Sequence, residues 1–312
     1  MPELVAGLEL AQARRRLAQA FRAAGMDTPQ LDARLLLQHA TGLSHAALIA
    51  EERRLLTAAE AECLRELARR RLHLREPVSR IIGKRAFFGR DFLVTPHVLD
   101  PRPDTEVLVE ATLKLRRQIE AHHEGTGSRA GRGVAWPIIC DLGTGSGAII
   151  VSLLAEWPAA RGLAVDISPA ALRVTRHNAR AHGVAHRLLC VRGNWLDAIG
   201  GPLDIIVSNP PYITEREMRA LPPEVRHDPT LALAGGTDGL VPHRAIARRA
   251  ADVLRPGGWL LAEVGTRRQA EAALALFAET AGLEPVESIL PAVLPDLAGR
   301  PRAVALRKPL AA

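Results

Sequence analysis

Ile138-Ile139-Cys140-Asp141-Leu142-Gly143-Thr144-Gly145-Ser146-Gly147 reads as a short apolar strand that runs into a glycine-rich turn and then a helix. A brief apolar run bounded by glycine fits a strand buried on both faces. Glycines in the turn permit positive φ and let a ligand approach the backbone. Downstream the pattern recurs. Leu163–Asp166, Leu188–Val191, Asp204–Ser208 and Trp259–Val264 are further candidate strands, with a plausible helix between each pair. Such alternation implies an α/β domain with a largely parallel, doubly wound sheet. Val286–Leu290 and Ala303–Leu306 close the chain without an intervening helix, which implies one antiparallel strand.

Upstream, residues 1–75 read as a small helical bundle. Thr28-Pro29 is an N-cap followed by proline at the first helical position, and Gly25 closes the helix before it. Leu31, Leu35 and their neighbours recur at helical spacing. Thr57 and Glu60 form a capping box that opens a helix with Leu64, Leu67 and Leu74 on one side. Glu76-Pro77 breaks the pattern, and the β-rich runs of 78–95, punctuated by Gly83 and Gly89, predict a hairpin. The expected division is a helical domain over 1–75, a hairpin linker over 76–98 and a catalytic domain over 99–312. Within the last, Thr105–Leu115 reads as a helix and residues 121–135 as a surface loop, with His122-His123 as plain polar loop.

Composition narrows the classes. The 312 residues are 47% apolar, enough for a substantial core, yet no run approaches the roughly 18 apolar residues of a membrane span. Met1–Leu10 carries two glutamates and no basic segment, unlike a secretory signal. Cys63, Cys140 and Cys190 match neither zinc spacing nor a disulfide framework, so a reduced, cytoplasmic, metal-free monomer is expected. Residues 1–90 hold 16 Lys and Arg against 10 Asp and Glu, a net of +6 out of +7 for the whole chain. That excess fits a basic surface for an acidic or RNA-associated partner, or equally arginines on solvated helix faces.

Two motifs carry chemistry. Gly143, Gly145 and Ala148 satisfy the loose G-x-G-x-x-G/A dinucleotide pattern, which alone is weak. Asp166 ends the second strand, where a carboxylate can hold both hydroxyls of a ribose, whether of an adenosyl ligand or of NAD. Asn209-Pro210-Pro211-Tyr212 ends the fourth strand, at the sheet edge where ligands bind. An amide nitrogen is a poor nucleophile because its lone pair is delocalised. The Asn209 side-chain oxygen and the Pro210 carbonyl can accept its two N–H groups and so favour the geometry that frees the lone pair. The prolines fix φ and offer carbonyls without competing donors, and Tyr212 can pack on the planar amide.

The loop from Asp141 to Gly147 resembles the glycine loop of class I, Rossmann-like methyltransferases. That resemblance implies S-adenosylmethionine as cofactor and S-adenosylhomocysteine as product. Asp141, Gly143, Thr144, Gly145, Ser146 and Gly147 would then hold the cofactor with Asp166, Asn194, Trp195 and Asn209. Trp195 offers an aromatic face to the adenine, with core packing as its plainer alternative. Adding Glu76-Pro77-Val78, Pro101 to Glu106 and Asp296 to Arg302, the chain resembles the release-factor glutamine methyltransferases. This implies that the acceptor is the Gly-Gly-Gln glutamine of bacterial class 1 release factors. Arg102 and Thr105 would join Asn209, Pro210, Pro211 and Tyr212 at the substrate. Arg80, Asp100, Asn194 and the 121–135 insertion depart from the family's usual pattern. The rivals are a ribosomal-protein glutamine methyltransferase, which differs over 101–106, and a DNA-adenine or rRNA-guanine methyltransferase. A base methyltransferase needs a target-recognition region and stacking platforms; no DNA-reading module is visible, and aromatic residues are only 3%.

Overall fold

A computed structural model describes residues 1–127 and 136–310, and the remainder of the loop expected over 121–135 lies outside them. The chain divides into two units, one of residues 1–84 with 222–227, the other of 85–221 with 228–312.

The first unit holds α1 (Leu10–Ala23), α2 (Pro29–Thr41), α3 (His45–Ala50), α4 (Ala58–His73) and α5 (Val78–Ile82). Leu10, Ala13, Leu17 and Phe21 fall on one face of α1 and pack with Leu36 and Leu37 of α2 and Leu64 of α4 in a single apolar core. Thr57 and Glu60 complete the capping box that opens α4, and Gly25 turns the chain at φ 70° after α1. Leu74, expected on the apolar side, follows α4 and is 49% exposed. Arg71 replaces it at the end of the buried stripe. Its guanidinium donates to Asp32 at 2.8 Å and to Glu224 at 3.3 Å, which anchors the returning segment 222–227 to this unit.

The expected hairpin over 78–95 is only partly realised. Pro77 presets the φ of a first turn, Gly83 closes it at φ 71°, and Val78–Ile82 between them is helical despite its β-branched residues. The hairpin proper is β1 (Lys84–Phe87) with β2 (Arg90–Leu93). Residues 76–98 are therefore not a separate linker: 76–84 go with the helices and 85–98 with the second unit.

The second unit continues with α6 (Glu106–Lys114), α7 (Arg116–Gly127), β3 (Ile138–Leu142), α8 (Ala148–Glu156), β4 (Arg161–Asp166), α9 (Pro169–Ala181), β5 (Leu188–Arg192) and β6 (Leu203–Ser208). After β6 come β7 (Ile213–Thr214), α10 (Glu215–Met218), β8 (Ala234–Gly236), α11 (Val241–Val253), β9 (Leu254–Glu263), α12 (Arg267–Ala281), β10 (Val293–Pro295) and β11 (Pro301–Arg307). Seven strands form one sheet in the order β10-β11-β9-β6-β3-β4-β5. Only β11 runs against the others. This is the class I methyltransferase fold, and apolar clusters cover both faces of the sheet. Val286–Leu290 is not a strand: Ile289 and Leu290 donate back to the Val286 carbonyl, and the edge strand forms later, at Val293. Among the described residues, no helix is long and apolar enough to cross a membrane.

Residues 121–127 belong to α7 rather than to a loop, and tertiary contacts explain why. His123 Nε2 lies 2.7 Å from Asp204 Oδ1 at the start of β6. Arg255 reaches the same oxygen at 2.5 Å, and the Ile138 N–H donates to Asp204 Oδ2 at 2.7 Å. One buried carboxylate thus ties α7, β3, β6 and β9 together. Asp204→Ala removes the shared partner and leaves Arg255 buried without it. We expect a loss of about 3–5 kcal/mol of stability, the cost of breaking a buried pair, read as a lower urea midpoint with an unchanged slope.

Candidate active site

The glycine loop and Asp166 meet at the carboxyl ends of β3 and β4. Gly143, Gly145 and Gly147 all have positive φ, and a Cβ on Gly147 would stand 2.9 Å from Thr175 Cγ2, so the loop requires glycine there. Gly145 N–H donates to Asp166 Oδ2 at 2.9 Å and Ser168 N–H to Oδ1 at 2.8 Å. Burial raises the Asp166 pKa, and these two donors partly offset it. From the other side, α9 grips the loop carbonyls. Thr175 donates to Gly145 O at 2.9 Å and Asn178 to Ser146 O at 2.8 Å. Asn178 also pairs with both main-chain groups of Leu93, which fastens the hairpin to the loop. Neither Thr175 nor Asn178 stood out in the sequence, because a polar residue on a helix facing a strand edge has no motif of its own.

A cavity opens over this edge. Gly143, Thr144, Gly145 and Ser146 line it, with Asp166, Asn194, Trp195, Asn209, Pro211, Arg102 and Thr105. Phe87, Val98, Leu99 and Leu231 add apolar wall and His97 a polar edge; the sequence reading missed them. For Val98 and Leu99 the only signal was an apolar pair between Pro96 and Pro101. Trp195 is a wall of the cavity as well as a packed residue, with φ 51°, a conformation costly for an aromatic side chain. Its ring carbon Cζ3 would lie 3.6 Å from a Cβ on Gly143. Asn194 donates to Asp197 at 3.1 Å, so its own oxygen is left as an acceptor, the polarity that an acid would supply.

Four expected site residues stand outside the wall: Asp141, Gly147, Pro210 and Tyr212 do not line the cavity. Asp141 is fully buried beneath the loop and accepts the Thr144 hydroxyl at 2.7 Å. Burial, then the neighbouring charge of Asp166, pushes its pKa up to about 7. Tyr212, expected to pack on an acceptor amide, instead lays its ring against Gly265 and donates its hydroxyl to Glu263 Oε1 at 3.2 Å. Burial and the adjacent Glu263 raise the Tyr212 pKa.

The turn Arg102–Glu106 gathers the rest. Arg102 donates to the buried Asp228 at 2.7 Å, Asp104 pairs with Arg302 at 2.8 Å, and Glu106 accepts the Phe88 N–H at 2.8 Å. Thr105 Oγ1 accepts the Asn209 amide at 3.2 Å. Four side chains of one turn thus hold the end of β6, β11, the hairpin and the segment at Asp228. Asp100 is buried with Arg85 at 3.9 Å and Arg102 at 4.0 Å.

Residues 12–83 match the family model described as the PrmC N-terminal domain, and residues 136–222 that of the methyltransferase small domain. A release factor glutamine methyltransferase of Rhodospirillum rubrum is 44% identical over 289 residues, covering 92% of this chain and 82% of that one. Another, of Cereibacter sphaeroides, is 45% identical over 305 residues, covering 97% of this chain and all of that one. A third, of Bradyrhizobium diazoefficiens, is 44% identical over 305 residues, with coverage of 97% and 96%. The chain belongs to the release factor glutamine methyltransferase family.

As a member of that family it is an S-adenosylmethionine-dependent methyltransferase, and its cavity suits that cofactor. Each Asp166 oxygen spends one lone pair on a backbone N–H and keeps another for a hydroxyl. Beside it stand an aromatic ring, Trp195, and an amide acceptor, Asn194. Asp166→Ala should therefore weaken S-adenosylmethionine and S-adenosylhomocysteine alike, by about 1.5–3 kcal/mol each. Calorimetry with both ligands checks this; undiminished affinity for either removes Asp166 from the ribose position.

Proposed function

We propose that this family member methylates the side-chain amide nitrogen of the glutamine in the Gly-Gly-Gln motif of bacterial class 1 peptide release factors. The observation that carries the reading is the orientation of Asn209. Its Nδ2 is spent on Thr105, which leaves Oδ1 as an acceptor at the cavity where the glycine loop ends. An acceptor there can take one N–H of a planar amide, and the Pro210 carbonyl is the candidate for the other. With both N–H groups held, the nitrogen lone pair is directed rather than resonating freely with its carbonyl. S-adenosylmethionine, when bound, supplies an electrophilic methyl with a good neutral leaving group. The remaining task of the protein is alignment in a closed site. Pro211 and the apolar wall exclude water from the acceptor. Tyr212 buttresses this edge from below through Glu263.

Specificity for one glutamine must come from surface outside the pocket, and the helical unit is the candidate for recognising the release factor. The arginines at the end of α4 are committed internally: Arg69 to Glu66, Arg70 to Glu76 and Arg71 to Asp32. Arg14, Arg15 and Arg34 instead line a groove with Gln30 and the exposed Leu31. A basic rim around an apolar floor suits an acidic protein surface.

Labelled methyl transfer to purified release factor, against DNA, rRNA and ribosomal-protein controls, tests the substrate. Asn209→Ala should lower kcat about a hundredfold while cofactor affinity stays within a few-fold; loss of cofactor binding as well would make the residue structural. Reversing Arg14, Arg15 and Arg34 to glutamate should raise KM for intact release factor, leave a short Gly-Gly-Gln peptide unaffected, and matter less as salt rises. An unchanged KM would remove the groove from recognition.

A further inference from the structure

Asn209-Pro210-Pro211 leaves the sheet with little means of securing itself. Neither proline has an N–H to donate, so the place of the Pro210 carbonyl depends on the anchors at the two ends of the span. At one end, Ser208 pairs in register with Leu142 and Ala262, and Asn209 donates to Thr105 at 3.2 Å. At the other, the Tyr212 hydroxyl donates to Glu263 at 3.2 Å, and the Tyr212 carbonyl accepts from Gln269 Nε2 at 2.8 Å. Gln269 lies in the first turn of α12, is 9% exposed, and receives the Gly265 N–H on Oε1 at 3.0 Å. A carbonyl on one side and an N–H on the other admit a single orientation of its amide.

Three glycines close on this contact. A Cβ on Gly235 of β8 would stand 2.7 Å from Tyr212 Cα, and one on Gly265 would stand 2.9 Å from both Gln269 Oε1 and Tyr212 Cδ2. Gly239, at φ 77°, leaves room for the hydrogen bond itself, since a Cβ there would overlap Gln269 Nε2 and the Tyr212 oxygen. In so closed a place an amide or carbonyl is costly to leave unpaired. We propose that Gln269 is a positioning residue for methyl transfer: its side-chain amide ties the Tyr212 carbonyl to the end of β9 and so fixes the span whose Asn209 oxygen and Pro210 carbonyl receive the acceptor amide. Gln269 does not line the cavity, so it acts through Tyr212 rather than on either substrate.

Gln269→Glu isolates the donor, because it keeps the shape of the side chain and its Oε1 acceptor. Ionised, the new carboxylate still receives the Gly265 N–H but turns a lone pair on the Tyr212 carbonyl; protonated, it donates again. Burial and two acids, Glu263 at the end of β9 and Asp238 next to Gly239, favour the protonated form. Arg267 and Arg268 in the same turn, Arg244, which pairs with Asp238, and Arg302 of β11 favour the charge. His243 of α11 stays neutral, its pKa lowered by burial to about 4. A carboxyl is protonated below its pKa, so the deficit of this variant is largest at high pH and shrinks as pH falls.

The inference rests on Asn209 and Pro210 as the acceptor-binding groups, and the test separates the two. The kcat is measured with whichever acceptor labelled methyl transfer identifies, so the identity of the substrate does not disturb it. Gln269→Leu should lower kcat about tenfold or more and leave KM and cofactor affinity within a few-fold. Gln269→Glu, which serves also if Gln269→Leu fails to fold, should show a similar deficit at alkaline pH. Its kcat relative to wild type at the same pH should rise through a single ionisation as pH falls. Tyr212 is the only tyrosine of the chain, so an NMR-visible carbonyl label on tyrosine gives one signal that reads the hydrogen bond directly. That signal should shift in Gln269→Leu and titrate in Gln269→Glu with the midpoint of the activity. A signal indifferent to both changes, or one that moves while kcat stays at the wild-type value and Asn209→Ala is impaired, overturns the proposal. Wild-type kcat in Asn209→Ala would sink the acceptor reading first, and the positioning role with it.

Discussion

The crevice that organises this molecule follows from where the chain reverses direction across its sheet. From β3 it proceeds through α8 to β4 on one side, then returns to β6 on the other. Connections leaving on opposite sides open a gap at the carboxyl ends of the strands, which no helix fills. The register makes this gap a row of positions. Leu142 pairs with Val165 and with Ser208, and Ser208 with Ala262. The residues that follow, Gly143, Asp166, Asn209 and Glu263, therefore stand abreast on four neighbouring strands. The glycine loop, Asp166, Asn209 and Glu263 thus share one edge of the sheet.

Such an edge gathers acids that a core would normally reject. Asp141, Asp166 and Glu263 all have pKa values raised by burial, yet each is committed to holding a particular donor. Asp141 fixes the Thr144 hydroxyl and Asp166 the Gly145 N–H. Desolvating a carboxylate is costly, and directed hydrogen bonds recover part of that cost while removing alternative loop conformations. The rigidity comes from Asp141 beneath the cavity and from Asp166 on its wall.

Legibility in the sequence tracked burial. Strands β3 and β6 emerged almost to the residue because they are apolar on both faces and end abruptly in a glycine or proline turn. Val78–Ile82 misled because β-branched residues suggest a strand, whereas Pro77 and Gly83 supply both ends of a helix. Residues 121–127 looked like loop by composition, but His123 has a buried partner 81 positions later that local pattern cannot reveal. The edge strand β10 is three residues long with a proline, too short for period-2 alternation to appear. At the site, glycines, Asp166 and Asn209 were readable because they stand at strand ends within recognisable motifs. The hydroxyl partner of Tyr212 was not readable, because Glu263 lies 51 positions later. Glu263 was silent: one acid closing an apolar strand looks like the start of the next loop.

The return of Pro222–His227 to the helical unit has a bearing on biosynthesis. Arg71 and Asp32 are made early, but the Glu224 that also binds Arg71 and Arg75 is translated some 150 residues later. His227, which meets the Leu74 carbonyl at 2.9 Å, comes later still. The amino-terminal bundle thus cannot reach its final state as it leaves the ribosome. It must wait, with a charged cluster unfinished, until β3 through β6 have been synthesised and the segment after Asn209–Tyr212 emerges. Vectorial synthesis therefore couples completion of the first unit to the appearance of the strands that carry the chemistry.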